Sequence, residues 1–388
     1  MDFSDETEHI AIRTAIRQIC ADFPDEYWAE ADTSHTFPSA FYDAMAGGGW
    51  IGIAIPADYG GGGAGITEAS IVLEEVAASG ACMNGASAIH LSIFGMHPVV
   101  QHGSEQLKRR YLPLVATGAL HVAFGVTEPE AGLDTAATKT MATRDGAGYR
   151  VTGRKVWTSK ALESDRVLLL TRTAQAEAGH RHTDGLTLLL ANLKDPAVGI
   201  RTIPKLGRNA VESCEVTYDG LFVAEADRVG DEGKGFSYLL DGLNAERVLI
   251  ASEALGIGKA ALRRAVRYAT QRVVFGRPIG ANQGVSFPLA EAHARLAAAE
   301  LVIRQAAWRI DNHLPCGEQA NTAKFLAAEA AFAAADAAVQ THGGFGYASE
   351  YHVERYWREA RLMRIAPVPQ EMVLNYLAEH ALGLPRSY

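Results

Sequence analysis

The chain has 388 residues, 48% of them hydrophobic, which is enough for two or three domains of about 100–200 residues with buried cores. Thirty-six basic residues against 45 acidic ones leave a net charge of −9, which argues against nucleic acid or an anionic membrane surface as the main partner, despite the basic run Lys108, Arg109, Arg110. No stretch approaches the roughly 20 apolar residues that cross a bilayer. The acidic start MDFSDETEHI has no secretory core, and Cys20, Cys82, Cys214 and Cys316 lie far apart with no C-x-x-C pair, so they read as free thiols in a reducing cytoplasm rather than as a structural disulfide.

Residues 1–118 read as helices joined by polar and glycine-rich turns, with GGGWIGIAIPADYGGGGAG (47–65) as a loop. Over 119–234 the period changes. HVAFGV, GYRVTG, DRVLLLTRT, GLTLLLANL and SCEVTYDGLFV are short β-rich runs between Gly, Asp and Asn turns, which predicts an antiparallel sheet or barrel. Over 235–388 long alanine-rich stretches (236–273, 286–312, 317–341, 369–382) with short loops predict an antiparallel helical bundle. The chain is therefore of the α+β, multidomain class.

Several motifs are decoys. GIGKAA (256–261) fits G-x-G-x-x-A, but it lies inside a helical stretch with no strand before it, so it lacks the turn that a dinucleotide site requires. H-E-x-x-H, paired Cys/His spacings and G-x-S-x-G are absent, so no metal site is expected. More specific are AFGVTEPEAGLDT (123–135) and GRKVWTSKALESD (153–165), two strand ends that bring hydroxyls, backbone amides and the Trp157 indole together. A core tryptophan is the plainer reading of Trp157 alone; taken together, the two ends suit a flat, polar-edged heterocycle such as a flavin. QRVVFGRPIGANQG (271–284) adds Arg272, Phe275 and Gln283, and QTHGGFGY (340–347) ends a helix in a glycine pair.

With GWIGIAIPADYGG, VTEPEAGLD, GRKVWTS, YATQRVVFGRPIGANQ and QTHGGFGYASEYHVERYWREAR in this order, the sequence resembles the acyl-CoA dehydrogenase family over nearly its whole length. The resemblance implies an N-terminal helical domain, a middle antiparallel β-barrel and a C-terminal four-helix bundle. It also implies FAD as cofactor, an acyl-CoA substrate, introduction of an α,β double bond, and an electron-transferring flavoprotein as acceptor. By the same resemblance Phe124, Val126 and Thr127 contact the isoalloxazine, and Trp157 and Ser159 flank its N5 edge. Arg272, Phe275, Gln283, Gln340, Gly343 and Gly344 would hold the pyrophosphate and adenosine of a neighbouring subunit's FAD, which implies a homotetramer, a dimer of dimers. Leu133 stands where the family commonly has a phosphate-binding serine, so its contact would be through the backbone alone. The helix 86–97 is expected to line the acyl tail, with His90 and Leu91 facing it; a packing role for His90 is equally open.

In many members the catalytic base is the Glu of a Glu-Gly-Thr motif. Counted from Gln340 without gaps, that position is Pro367, which can neither accept a proton nor donate a backbone N–H. Isovaleryl-CoA and long-chain acyl-CoA dehydrogenases instead carry the base in a Glu-Arg pair on another helix. Here that pair is Glu246–Arg247, with Asn244 and Arg247 expected beside the substrate. Glu246 shares a helical face with Leu239, Leu243, Leu249 and Ile250, an unusual place for a carboxylate without a purpose. The plainer reading is a buried Glu neutralised by Arg247. Glu253, one heptad on, is the other carboxylate of the face, and no family motif places it at the flavin. Two alternatives to the dehydrogenase reading stand: a non-catalytic partner subunit in a mixed assembly, and an oxygen-using relative such as an acyl-CoA oxidase or flavin monooxygenase.

Overall fold

The computed structural model describes residues 6–175 and 182–386, so of the acidic start it covers only the part from Glu6 onward. The N-terminal part comprises α1 (Thr7–Ala21), α2 (Asp25–Ser34), α3 (Ser39–Gly47), α4 (Ile66–Val76), α5 (Cys82–Phe94), α6 (His97–His102) and α7 (Glu105–Ala116). Segment 47–65 is a loop broken by two single helical turns, at Trp50–Gly52 and Ala57–Tyr59. The strands follow: β1 (Val122–Gly125), β2 (Met141–Asp145), β3 (Gly148–Ser159), β4 (Arg166–Arg172), β5 (Leu186–Asn192), β6 (Val198–Thr202), β7 (Ser213–Ala224) and β8 (Arg228–Val229). The chain ends in α8 (Gly235–Gln271), the hairpin β9 (Val273–Val274) and β10 (Arg277–Pro278), then α9 (Gln283–Asp311), α10 (Gly317–His342), α11 (Val353–Leu362) and α12 (Gln370–Tyr376).

The strands do not close into a barrel. Their order is β6-β7-β3-β2-β4-β5-β8, with β1 on β4, and no ladder joins the β6 and β8 edges among the described residues. The sheet is also mixed, since β1 runs parallel to β4 and β2 meets β4 through a single parallel pair, Met141–Arg172. The reason lies in DRVLLLTRT. Leu168 and Leu170 pack toward α6 and α7, while Val167 and Leu169 pack toward β3 and β7. A strand buried on both faces needs helices on one side, and these cover what closure would otherwise protect.

α8, α9 and α10 are the long helices expected, but the fourth position of the bundle is filled by two short helices, α11 and α12. Pro367 and Pro369 lie between them and cannot donate to a helical ladder. GIGKAA is indeed mid-helix, and its glycines serve packing. A Cβ on Gly256 would lie 2.4 Å from the Glu74 carbonyl of α4, and one on Gly258 would lie 2.5 Å from Leu296 of α9. α4 and α5 share one core with α8, α9 and α10.

That shared core fixes the first turn of α4 from a distance. Asp311, at the end of α9, accepts the Ile66 and Thr67 amides at 2.7 and 2.9 Å and the Thr67 hydroxyl at 2.5 Å. A carboxylate on free N–H groups at a helix start caps it and favours its dipole. Asp311→Ala should lower stability by about 1–2 kcal/mol in urea unfolding, and Asp311→Asn should restore part of it.

Candidate active site

The two glycine-flanked strand ends meet. The Val156 amide donates to the Thr127 carbonyl at 2.9 Å. Buried Lys155 donates to the Val126 carbonyl at 2.9 Å and to Glu128 at 2.8 Å, and Glu128 also accepts the Lys139 and Thr140 amides at 2.7 and 2.9 Å. Burial alone would push the Glu128 carboxyl up, but Lys155 and these donors outweigh it and hold the carboxyl below the usual range. This buried pair pins segment 126–128 to β3.

Between Lys155 and Thr158 the β3–β7 register breaks, and Trp157 adopts φ of 59°. A left-handed aromatic residue costs roughly 1–3 kcal/mol, so its surroundings must over-determine it. The result is an indole 56% exposed, with Ser159 two residues further on. Phe124 and Val126 are half-buried against the α6–α7 core, Thr127 is half-buried, and Leu133 is 61% exposed in the following turn. An exposed indole face edged by hydroxyls and a glycine-flanked backbone fits a flavin ring.

Sequence reasoning missed Arg208. It also has a positive φ, 59°, and donates to Ser159 at 3.0 Å, to Ser213 at 2.5 Å and to Ser87 of α5 at 3.5 Å. The one visible signal was an arginine directly after a Lys-Leu-Gly turn. Lys160, next to Ser159 and fully buried, donates to the Ala88 carbonyl of α5 at 2.9 Å and sits 4.2 Å over the Tyr42 ring. Burial pushes its amine down to about 7. The strand end bearing Ser159 is therefore tied to the helix bearing His90.

His90 is held between two carboxylates of α8. Nε2 lies 2.8 Å from Glu246 and Nδ1 lies 2.7 Å from Glu253. Glu253 is wholly buried, whereas 17% of the Glu246 side chain is exposed. Burial works against the imidazolium, yet the two carboxylates raise the His90 pKa well above its ordinary value. Arg247 donates to Asn244 at 3.2 Å rather than to Glu246. Both Asn244 and Arg247 are half-buried, as is Leu91. Neutralisation of Glu246 by Arg247 is not what the geometry shows; its partner is His90.

The remaining predicted residues lie elsewhere. Arg272, Phe275, Gln283, Gln340, Gly343 and Gly344 are all exposed, Phe275 completely so at φ 52°. They gather where α8 and α10 end, around the β9–β10 hairpin. Arg272 follows Glu246 by 26 positions, about 39 Å along α8 at 1.5 Å per residue. The two groups of residues therefore lie far apart along the same helix. Among the described residues no cluster of His, Cys, Asp and Glu could hold a metal ion, and the four cysteines are free.

Two pinned strand ends with an exposed indole, and a part-exposed carboxylate on a long helix, are the chemical features this chain presents, and comparison with known proteins gives its family. The acyl-CoA dehydrogenase N-terminal, middle and C-terminal domain profiles match residues 6–119, 123–221 and 233–382. Acyl-CoA dehydrogenase FadE12 of Mycobacterium tuberculosis is 37% identical over 391 aligned positions, covering 100% of this chain and 99% of that protein. Glutaryl-CoA dehydrogenase in complex with glutaryl-CoA superposes with a TM-score of 0.94 at 27% identity, covering 100% of this chain and 98% of that one. Butyryl-CoA dehydrogenase from Megasphaera elsdenii gives 0.93 at 27%, covering 98% and 100%. The chain belongs to the acyl-CoA dehydrogenase family. It is an FAD flavoprotein, an oxidoreductase acting on CH–CH groups of acyl-CoA substrates in fatty acid metabolism. Among the described residues no helix is long and apolar enough to cross a membrane.

Removing the cation of the Glu128 pair tests how the flavin-facing loop is held. Lys155→Met leaves the buried carboxylate its two amide donors but no counter-charge, which should cost about 3–5 kcal/mol at pH 7 and reduce FAD retention on gel filtration. The gap from wild type should narrow as pH falls through the lowered Glu128 pKa, because protonation there dissolves the native pair as well.

Proposed function

We propose that the protein oxidises an acyl-CoA thioester to its trans-2-enoyl-CoA, with Glu246 as the base that removes the α-proton. The observation that carries this reading is the carboxylate of Glu246, part-exposed on a largely apolar helix face, while Pro367 occupies the position of the usual base. The α-C–H bond breaks, its proton goes to Glu246, and its electron pair becomes the new double bond. When bound, FAD supplies at N5 the acceptor for the hydride leaving the β-carbon. Phe124, Val126, Thr127, Trp157 and Ser159 would hold its ring, with Leu133 meeting the phosphate through its backbone. Asn244 and Arg247 flank the base on the substrate side, and Leu91 lines the tail.

The acyl group is short or branched on this reading, because His90 and Glu253 fill the α5–α8 seam just beyond Glu246. Arg272, Phe275, Gln283, Gln340, Gly343 and Gly344 serve the pyrophosphate and adenosine of a neighbour's FAD. The long separation along α8 supports this division and with it a homotetramer. An electron-transferring flavoprotein takes the electrons, and the cytoplasm is the site of action. The domains run over 1–118, 119–234 and 235–388. Neither a partner subunit nor an oxygen-using relative is favoured by any contact described.

Glu246→Gln keeps the volume of the side chain and removes its proton affinity. A positioned general base contributes roughly 10²- to 10⁴-fold, so stopped-flow flavin reduction should slow at least about a hundredfold in a protein that still binds FAD and acyl-CoA. Undiminished reduction would remove Glu246 from the reaction. Arg272→Ala should weaken FAD retention and assembly together, since a charge-assisted phosphate contact across subunits is strong. Loss of flavin from an unchanged assembly would contradict the shared site.

A further inference from the structure

We propose that His90 is a positioning residue for Glu246, an imidazolium that donates one N–H to Glu246 and the other to Glu253, so that one oxygen of Glu246 is fixed and the other is left free to take the proton. The inference rests on the reading of Glu246 as the base.

Carboxylates accept hydrogen bonds and donate none when ionised, so a ring with a carboxylate at 2.8 Å on one nitrogen and another at 2.7 Å on the other is satisfied only when both nitrogens carry protons. Two negative partners and one positive ring leave the seam with a single excess negative charge. Glu253 makes no other contact that would explain it. Its second oxygen has no hydrogen-bond partner among the described residues, and its side chain is fully buried. A buried carboxylate with one partner is costly, and what it gains is a proton kept on His90. Burial alone would strip that proton; Glu246 and Glu253 together keep it there.

The other charges around the seam are few. Arg208 of the 205–212 loop acts on Glu253 over a distance, and it bonds only serine hydroxyls. Lys160 lies under α5 and bonds the Ala88 carbonyl. Arg247 of α8 turns to Asn244. None of them touches Glu246, so among the described residues His90 is the one cation bonded to it. Its effect on the reaction follows. With Oε2 of Glu246 engaged by Nε2–H, Oε1 is left to accept the α-proton, and the adjacent positive charge lies beside the carboxylate that receives it. Glu253 touches no reacting atom on this view and acts only through His90.

The test has two independent readouts on the FAD-loaded enzyme. The first is ¹⁵N NMR of histidine-labelled protein. Wild type should show one ring with both nitrogens protonated at pH 7.5, assigned by its loss in His90→Gln, and Glu253→Gln should convert that ring to the neutral form. A neutral His90 in wild type would overturn the proposal whatever Glu246 does. The second is the pH profile of flavin reduction. His90→Gln keeps an N–H donor and drops the charge, so reduction should slow at least about tenfold at pH 6, and by a smaller factor at pH 9, as expected for loss of a neighbouring opposite charge. His90→Leu drops donor and charge together and should be slow at both pH values, with acyl-CoA affinity changed less than the reduction rate. A His90→Gln profile superimposable on wild type would refute the role of the charge. If Glu246→Gln proves slow while the His90 variants match wild type, the base assignment stands and this inference fails alone.

Discussion

A protonated imidazole wedged between two carboxylates joins α5 to α8, and the chemistry of the site depends on that contact. Most of the rest of this seam is apolar, for which area burial sets affinity but not direction. Hydrogen bonds of 2.8 and 2.7 Å set a direction. α5 is in turn held by polar contacts at its start. Glu359 of α11 accepts the Met83 amide at 2.5 Å and the Asn84 side chain at 2.6 Å, which caps the first turn of α5. Asn84 also accepts the Ala210 amide at 3.0 Å, and Asp32 accepts the Asn209 amide at 2.7 Å. Burial pushes the Glu359 carboxyl up to about 7. One helix start thus ties together the N-terminal helices, the 205–212 loop beside Ser159, and the C-terminal helices.

The flavin side rests on a different device. There the backbone itself is unusual, since Trp157, Lys160 and Arg208 all have positive φ without being glycine. Such conformations persist only where neighbours over-determine them. The Glu128–Lys155 pair, the Lys160 bond to α5 and the Arg208 bonds to three serines are those neighbours. Strain at the strand ends turns an indole outward and presents hydroxyls beside it.

Much of this was legible in the sequence. Period and length gave the three long helices to within a few residues, because an alanine-rich helix buried on several sides has no competing structure. The Glu246 anomaly was visible because a charge on an apolar stripe stands out by periodicity alone. What was hidden is long-range. Nothing local says that His90, 156 residues from Glu246, would reach it, or that Arg208 would close on Ser159. The barrel expectation failed for a similar reason. DRVLLLTRT reads as a strand, but whether helices or other strands cover its second face is decided by α6 and α7, which lie elsewhere in the chain. The span 369–382 is helical as its periodicity predicts, through α12 and the wider turn Leu377–Ala381 that continues it, whereas α11, cut off from it by Pro367 and Pro369, is not among the expected helices.

The central claim is that the α-carbon of the substrate meets Glu246 and not the Pro367 loop. A crystal structure of the FAD-loaded protein with a non-oxidisable 3-thia-acyl-CoA would test it directly. The account predicts a Glu246 carboxylate oxygen within about 3.5 Å of the α-carbon, the separation expected of reacting atoms, with its other oxygen still bonded to His90. An α-carbon turned toward Pro367 and Val368, with Glu246 out of reach, would contradict it.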